Sequence, residues 1–237
     1  MGERKSDIMK RNENIIYSIS RKNHVLRRGI HLISGLVVIY YLFPDTFLYL
    51  PGKLWLIILL GLVPLLIELI RLRGGLLLFG QRGYEKTNIG SFAWALWASG
   101  ALMLVLPQQI ALPVILIYTV MDPVISEIRL WRKWLVLPVG GFITVILFVL
   151  FDYNILLAVY GSLFMVAGEA TEIIGKIQFR PELFKIYRTS SFRENLMIPF
   201  KTDDNATTQI LPGMALGSLY IFYPQWFPEP WFFPFFG

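Results

Sequence analysis

Residues 54–70 read Leu-Trp-Leu-Ile-Ile-Leu-Leu-Gly-Leu-Val-Pro-Leu-Leu-Ile-Glu-Leu-Ile, an apolar run interrupted by one ionisable side chain, Glu68. About 17–25 apolar residues carry a helix across the hydrocarbon core of a bilayer, so the run reads as a membrane span. Working outward, comparable runs cover 29–50 before it and 89–106, 110–121, 134–151, 153–174 and 207–223 after it. The run 110–121 is short, contains Pro113 and stops at Asp122-Pro123, which predicts a fourth helix that is short or broken near the membrane face. The expected fold is all-α: a polytopic membrane protein of about seven transmembrane helices. Its expected parts are a basic cytoplasmic arm (1–28), a transmembrane helical domain (29–223) and an aromatic, proline-rich interfacial tail (224–237).

Composition agrees. Of 237 residues, 55% are hydrophobic and 16% charged, with mean hydropathy +0.57; soluble domains carry about 25% charge. The apolar runs leave no room for a separate soluble core. The absence of cysteine excludes disulfides, iron–sulfur clusters, thiolate zinc sites and a cysteine nucleophile. With only His24 and His31, a histidine-rich metal site or a Ser-His-Asp triad is not expected either. Chemistry therefore falls to carboxylates, lysines, arginines and oxygen-bound cations.

The net charge of +6 is explained by topology. No nucleic-acid-binding motif accompanies it, so no nucleic-acid partner is expected. Of the 22 Lys and Arg residues, 21 lie in the N-terminal arm and in the second, fourth and sixth loops, leaving Lys53 alone on the other side. The positive-inside rule then places the N-terminus and these loops in the cytoplasm. Ile8, Ile15, Ile16 and Ile19, interleaved with Lys and Arg, suit an arm lying on an anionic membrane, although a tail that only sets topology has the same composition. Trp226, Phe227, Trp231, Phe232, Phe233, Phe235 and Phe236 among prolines suit an interfacial anchor.

Glu68, Asp122, Glu127, Glu169, Glu172, Asp203 and Asp204 all fall at or near the cytoplasmic ends of these spans. A carboxylate inside a bilayer costs at least about 2.5 kcal/mol, so such residues face a cavity or a partner. Glu169 and Glu172 are three apart and share a helical face, which suits either a metal or proton-sharing pair or two separate bridges to arginine. Asp203-Asp204-Asn205 offers three oxygen-bearing side chains at a turn, fit for a hard cation or for capping the last helix. Asp122 before Pro123 is a helix cap or a metal ligand. Glu68 and Arg71, also three apart, predict a structural salt bridge. Arg27, Arg28 and His31 stand where phosphates would be met, although topology alone accounts for the arginines. No glycine-rich nucleotide fingerprint, protein-kinase signature or serine-hydrolase elbow is present.

Taken in order, Arg27-Arg28-Gly29-Ile30-His31, Glu68-Leu69-Ile70-Arg71, Arg82-Gly83-Tyr84-Glu85, Asp122-Pro123, Glu127-Ile128-Arg129, Glu169 or Glu172, and Asp203-Asp204-Asn205 resemble the integral-membrane CTP-dependent lipid kinases. That is the dolichol, phytol and diacylglycerol kinase-like group related to phosphatidate cytidylyltransferases. The family's Lys-[Ser/Thr]-x-Glu-Gly-Ser element has no counterpart after Asp122. The resemblance implies transfer of a phosphoryl group from CTP, or another nucleotide, to a polyprenol- or dolichol-type or other lipid alcohol in the bilayer. It gives Asp122, Asp204 and Asn205 to the nucleotide and its metal. On this reading Asp122, Asp203 and Asp204 hold Mg²⁺ or another divalent cation. Arg129 or Arg193 stabilises the transferring group, Arg27, Arg28 and His31 contact phosphate, and Glu169 or Glu172 takes the proton of the lipid hydroxyl. The site would face the cytoplasm from a cell membrane or an endoplasmic-reticulum-type membrane, and a homo-oligomer stays open. The alternatives are a cytidylyltransferase making a CDP-lipid, and a noncatalytic membrane protein or transporter.

Overall fold

The computed structural model describes residues 21–42, 46–47, 50–76, 89–178 and 204–230. Among them are seven α-helices: α1 Arg21–Ser34, α2 Gly52–Gly74, α3 Ser91–Val105, α4 Gln108–Trp131, α5 Val136–Leu150, α6 Ile155–Gln178 and α7 Asp204–Phe222. A 3₁₀ segment, Gly35–Leu42, prolongs α1. Strands β1 (Thr46–Phe47) and β2 (Leu50–Pro51) form a minimal antiparallel pair in which Phe47 faces Leu50. Within residues 29–50, expected as one span, the described residues are therefore α-helix, then a 3₁₀ segment to Leu42, then the strand pair that begins at Thr46.

Each helix overlaps one of the apolar runs, and the connections show why the runs end where they do. Leu106, preceding Pro107, is extended (φ −109°, ψ 149°), as the residue before proline prefers, and so closes α3. Between α5 and α6, Asp152 takes the left-handed conformation (φ 62°), and Asn154 caps α6 by accepting the Leu157 N–H at 3.0 Å.

The fourth helix departs from expectation. It is neither short nor broken: α4 runs unbroken for 24 residues through Pro113 and Pro123, about 36 Å at 1.5 Å per residue. Pro113 has no N–H for the carbonyl of Gln109, and the Tyr153 hydroxyl at the start of α6 donates to that carbonyl at 2.6 Å. Packing does the rest. Ile110, Ala111, Val114, Ile115, Ile117, Tyr118, Met121 and Ile125 are all buried, so α4 is the central helix, with α1, α3, α5 and α7 against it.

Around α4 the most extensive packing is between α6 and α7, followed by α5 on α6. Gly213 and Gly217 let α7 close on α3: a Cβ at either position would lie 2.5 and 2.6 Å from Leu102 Cδ2 and Leu106 Cδ2 respectively. At the end where α4 and α6 begin and α7 stops, Gln109 Nε2 donates to Tyr220 Oη at 2.9 Å. The Phe227 ring packs there against Tyr153 and Tyr220.

The core is apolar, yet it also buries polar side chains in mid-helix, while many large apolar ones lie outside. Ser99 Oγ donates to Gln209 Oε1 at 2.7 Å, and Thr144 Oγ1 to the Gly140 carbonyl at 2.7 Å. Facing outward are Leu66, Ile70, Leu104, Val105, Phe142, Leu156 and Phe222, each more than half exposed. α2 and α4 are long and apolar enough to cross a membrane, while α3, α5 and the apolar part of α6 are shorter.

Tyr153→Phe removes the one donor compensating for Pro113. It should lower stability in detergent micelles by about 1–2 kcal/mol in reversible unfolding, while Tyr223→Phe, at an exposed position, should change it by less than about 0.5 kcal/mol.

Candidate functional site

Along α1, Arg28, His31 and Gly35 recur at helical spacing and meet α4 in antiparallel register. Arg28 forms an ion pair with Glu127, and His31 Nδ1 lies 3.4 Å from Asp122 Oδ2. Gly35 closes the seam, since a Cβ there would sit 3.1 Å from Thr119 Oγ1. The Tyr118 hydroxyl, one turn before Asp122 and likewise buried, is also 3.4 Å from His31 Nδ1.

A second seam brings α6 and α7 to the same end. Arg129, on the last turns of α4, is ion-paired with Glu169 of α6. The residue before it, Gly168, marks the closest helix–helix approach: a Cβ there would lie 2.6 Å from Thr208 Cα and 2.7 Å from the Thr207 carbonyl oxygen. Thr207 Oγ1 donates to the Gly168 carbonyl at 3.1 Å. Because the obstructing atoms are backbone, only glycine permits this contact, and it sets the first turns of α7 beside Glu169.

A third contact ties α2 to the start of α3. Glu68 and Arg71 form the expected ion pair, with Arg71 Nε donating to Glu68 Oε1 at 3.0 Å. The Gly90 N–H donates to Glu68 Oε2 at 3.0 Å. Both side chains are almost wholly buried, so the pair fastens two helices rather than offering charge to a ligand.

All four of these charged contacts involve the ends where α2, α4 and α6 finish and α1 and α3 run nearby. Among the described carboxylates there, Glu68, Glu127 and Glu169 each form an ion pair with an arginine, whereas Asp122 lies 3.4 Å from the imidazole of His31 and also interacts electrostatically with Arg28. The Asp122 side chain is 16% exposed, enough to meet a ligand from one side.

Five residues singled out in the sequence, Arg28, His31, Asp122, Arg129 and Glu169, thus take part in the contacts at one end. Of the two readings of the Glu169 and Glu172 pair, the bridge to an arginine is what Glu169 makes. The side chains of Arg27, Glu172, Asp204 and Asn205, and the whole of Asp203 and Arg193, lie outside the described residues. Among the described residues no three His, Asp or Glu side chains converge as a metal site. The backbone of Asp204 opens α7, two turns or less from the Thr207–Gly168 contact.

Tyr118 and Gly168 were not anticipated. Gly168 had a signal, since Gly161 and Gly168 are seven residues apart and so share the packed face of α6. Tyr118 had none, because an aromatic residue in an apolar run looks the same whether it packs or bonds.

The arrangement defines a class: a helical bundle with apolar exterior, polar interior seams and one charged end. Comparison with protein-family models, with curated proteins and with solved structures finds no match to the chain.

Arg129→Met leaves the buried Glu169 carboxylate uncompensated and should cost about 2–4 kcal/mol in micelle unfolding, the lower end reflecting the partial exposure of Arg129. Adding Glu169→Leu should recover most of that loss, a coupling of more than about 1 kcal/mol. Gly168→Val should cost about 1–3 kcal/mol or more, because neither backbone can yield.

Proposed function

We propose that the chain crosses the membrane seven times with its charged end in the cytoplasm, and that it is a lipid kinase-like enzyme acting there on a lipid alcohol. The observation that carries the reading is Asp122: it is a partly exposed carboxylate held 3.4 Å from the His31 imidazole, with the Arg28 guanidinium close enough to interact with its charge. Support for the topology comes from the apolar exterior, together with the 21 of 22 basic residues on alternate loops of the expected spans.

Asp122, Asp203 and Asp204 are the residues that would hold Mg²⁺ or another divalent cation, with Asn205 assisting. The contact between α7 and Gly168 fits that set, because it keeps the first turn of α7 at the same end of the bundle as Asp122. Bound there, the cation would supply charge neutralisation for the nucleotide phosphates. Arg28, Arg27 and Arg193 offer guanidinium groups to the phosphates, and Arg129, oriented by Glu169, offers one to the transferring group. The lipid hydroxyl oxygen bonds to the γ-phosphorus as the bond to the β-phosphate oxygen breaks. CDP leaves, and the hydroxyl proton passes to a carboxylate, Glu172, since Glu169 is held in its ion pair with Arg129.

Purified protein incubated with Mg²⁺, γ-labelled CTP or ATP and a mixed polyprenol and diacylglycerol pool should place label in a lipid. Asp122→Asn should lower the rate at least about 100-fold, with stability in micelles unchanged. If no lipid is labelled but pyrophosphate appears, cytidylyl transfer replaces phosphoryl transfer. With neither product from folded protein, a noncatalytic role takes over. Because the chain has no native cysteine, single cysteines at Ser6, Asp152 and Ser218 can be probed with an impermeant thiol reagent in sealed vesicles; Ser6 should label on the cytoplasmic side and Asp152 on the other.

A further inference from the structure

The contact between His31 and Asp122 carries a consequence for the side chain that the proposed site depends on most. Nδ1 of His31 has two polar neighbours at the same distance, Asp122 Oδ2 and Tyr118 Oη, each 3.4 Å away. One ring nitrogen cannot serve both in the same way. With a proton it donates to the carboxylate; without one it accepts from the phenol. An ionised carboxylate is an acceptor only, and leaving it without a donor in a largely buried place costs more than leaving a neutral phenol without that acceptor. His31 is 5% exposed and its ring stands edge-on to Tyr118, at 69° between planes, so the imidazole is held rather than free to turn away.

We propose that His31 is a positioning residue: it carries its proton on Nδ1, donates it in a hydrogen bond to Asp122 Oδ2, and thereby leaves the other carboxylate oxygen to face the ligand. Outer partners of this kind orient ligating and catalytic groups, and losing them lowers affinity or activity about 10- to 100-fold. The proposed hydrogen bond rests on the 3.4 Å approach of Nδ1 to Asp122 Oδ2, while its effect on turnover rests on the lipid kinase reading. The seam adds a structural reason for the placement. Gly35 against Thr119 and Arg28 against Glu127 fix α1 on either side of His31, so the imidazole is registered to Asp122 from both directions along the helix.

The test separates the two levels. The chain has only two histidines, so ¹⁵N-histidine labelling of the full-length protein in micelles gives two imidazoles, with His24→Gln assigning the remaining one to His31. The expected result is a His31 Nδ1 that carries the proton and whose resonance moves in Asp122→Asn but not in Asp152→Asn, an exposed site at the other end where left-handed φ suits asparagine. A His31 found with its proton on Nε2 alone, shifted by Tyr118→Phe and untouched by Asp122→Asn, overturns the proposal whether or not any activity is found. In the lipid-labelling assay, His31→Asn keeps an N–H near the Nδ1 position and should retain activity within about 5-fold. His31→Gln, whose N–H sits near Nε2, and His31→Ala should lose about 10- to 100-fold, with Mg²⁺ dependence shifted to higher concentration. Equal loss in all three variants would refute positioning through Nδ1. Absence of activity in the wild type removes only the kinase reading, since the imidazole resonances still decide the hydrogen bond.

Discussion

A helix that gives up a backbone hydrogen bond in apolar surroundings must find another donor, and the bundle is arranged around that demand on α4. Pro113 releases the Gln109 carbonyl and Tyr153 answers it, which joins α6 to α4 at one end. Thr144 of α5 bonds its own Gly140 carbonyl and reaches Met121 Sδ at 2.9 Å, which joins α5 to α4 near its middle. One residue further along α4, His31 of α1 approaches Asp122. These bonds join neighbouring helices to α4, and many aliphatic residues take the exterior.

The same rule shapes the charged end. Buried ion pairs contribute little net stability, since desolvation offsets most of the attraction, but breaking one is expensive. Glu68 with Arg71 and Glu169 with Arg129 are buried enough to act as fasteners, whereas Arg28 with Glu127 is partly exposed and contributes at most about 1 kcal/mol. Asp122 differs from these carboxylates in geometry: it is partly exposed, with the His31 imidazole 3.4 Å away and the Arg28 guanidinium near enough to interact with it.

Much of this was legible in residue order. The apolar runs overlap all seven described helices, because a run of that length has few other stable forms, and the i, i+3 spacing of Glu68 and Arg71 foretells their pair. Residues 110–121 mislead because their prolines suggest a helix end; extensive burial and a hydroxyl from a distant residue keep α4 whole. Glu169 and Glu172 could not be resolved from spacing, since a helix face says which residues are neighbours on one helix and nothing of what an adjacent helix brings to them. Arg129, forty residues earlier, supplied the answer for Glu169.

By itself the sequence determined the helical class and the spacing of apolar runs between basic stretches, because these follow from composition and one-dimensional periodicity. Only the tertiary structure decided that Pro113 and Pro123 would be absorbed, that Gly168 would be a crossing point, and that Asp122 would meet His31. Each of those depends on atoms contributed by another helix, whose register is set by packing in three dimensions and has no trace in the local sequence.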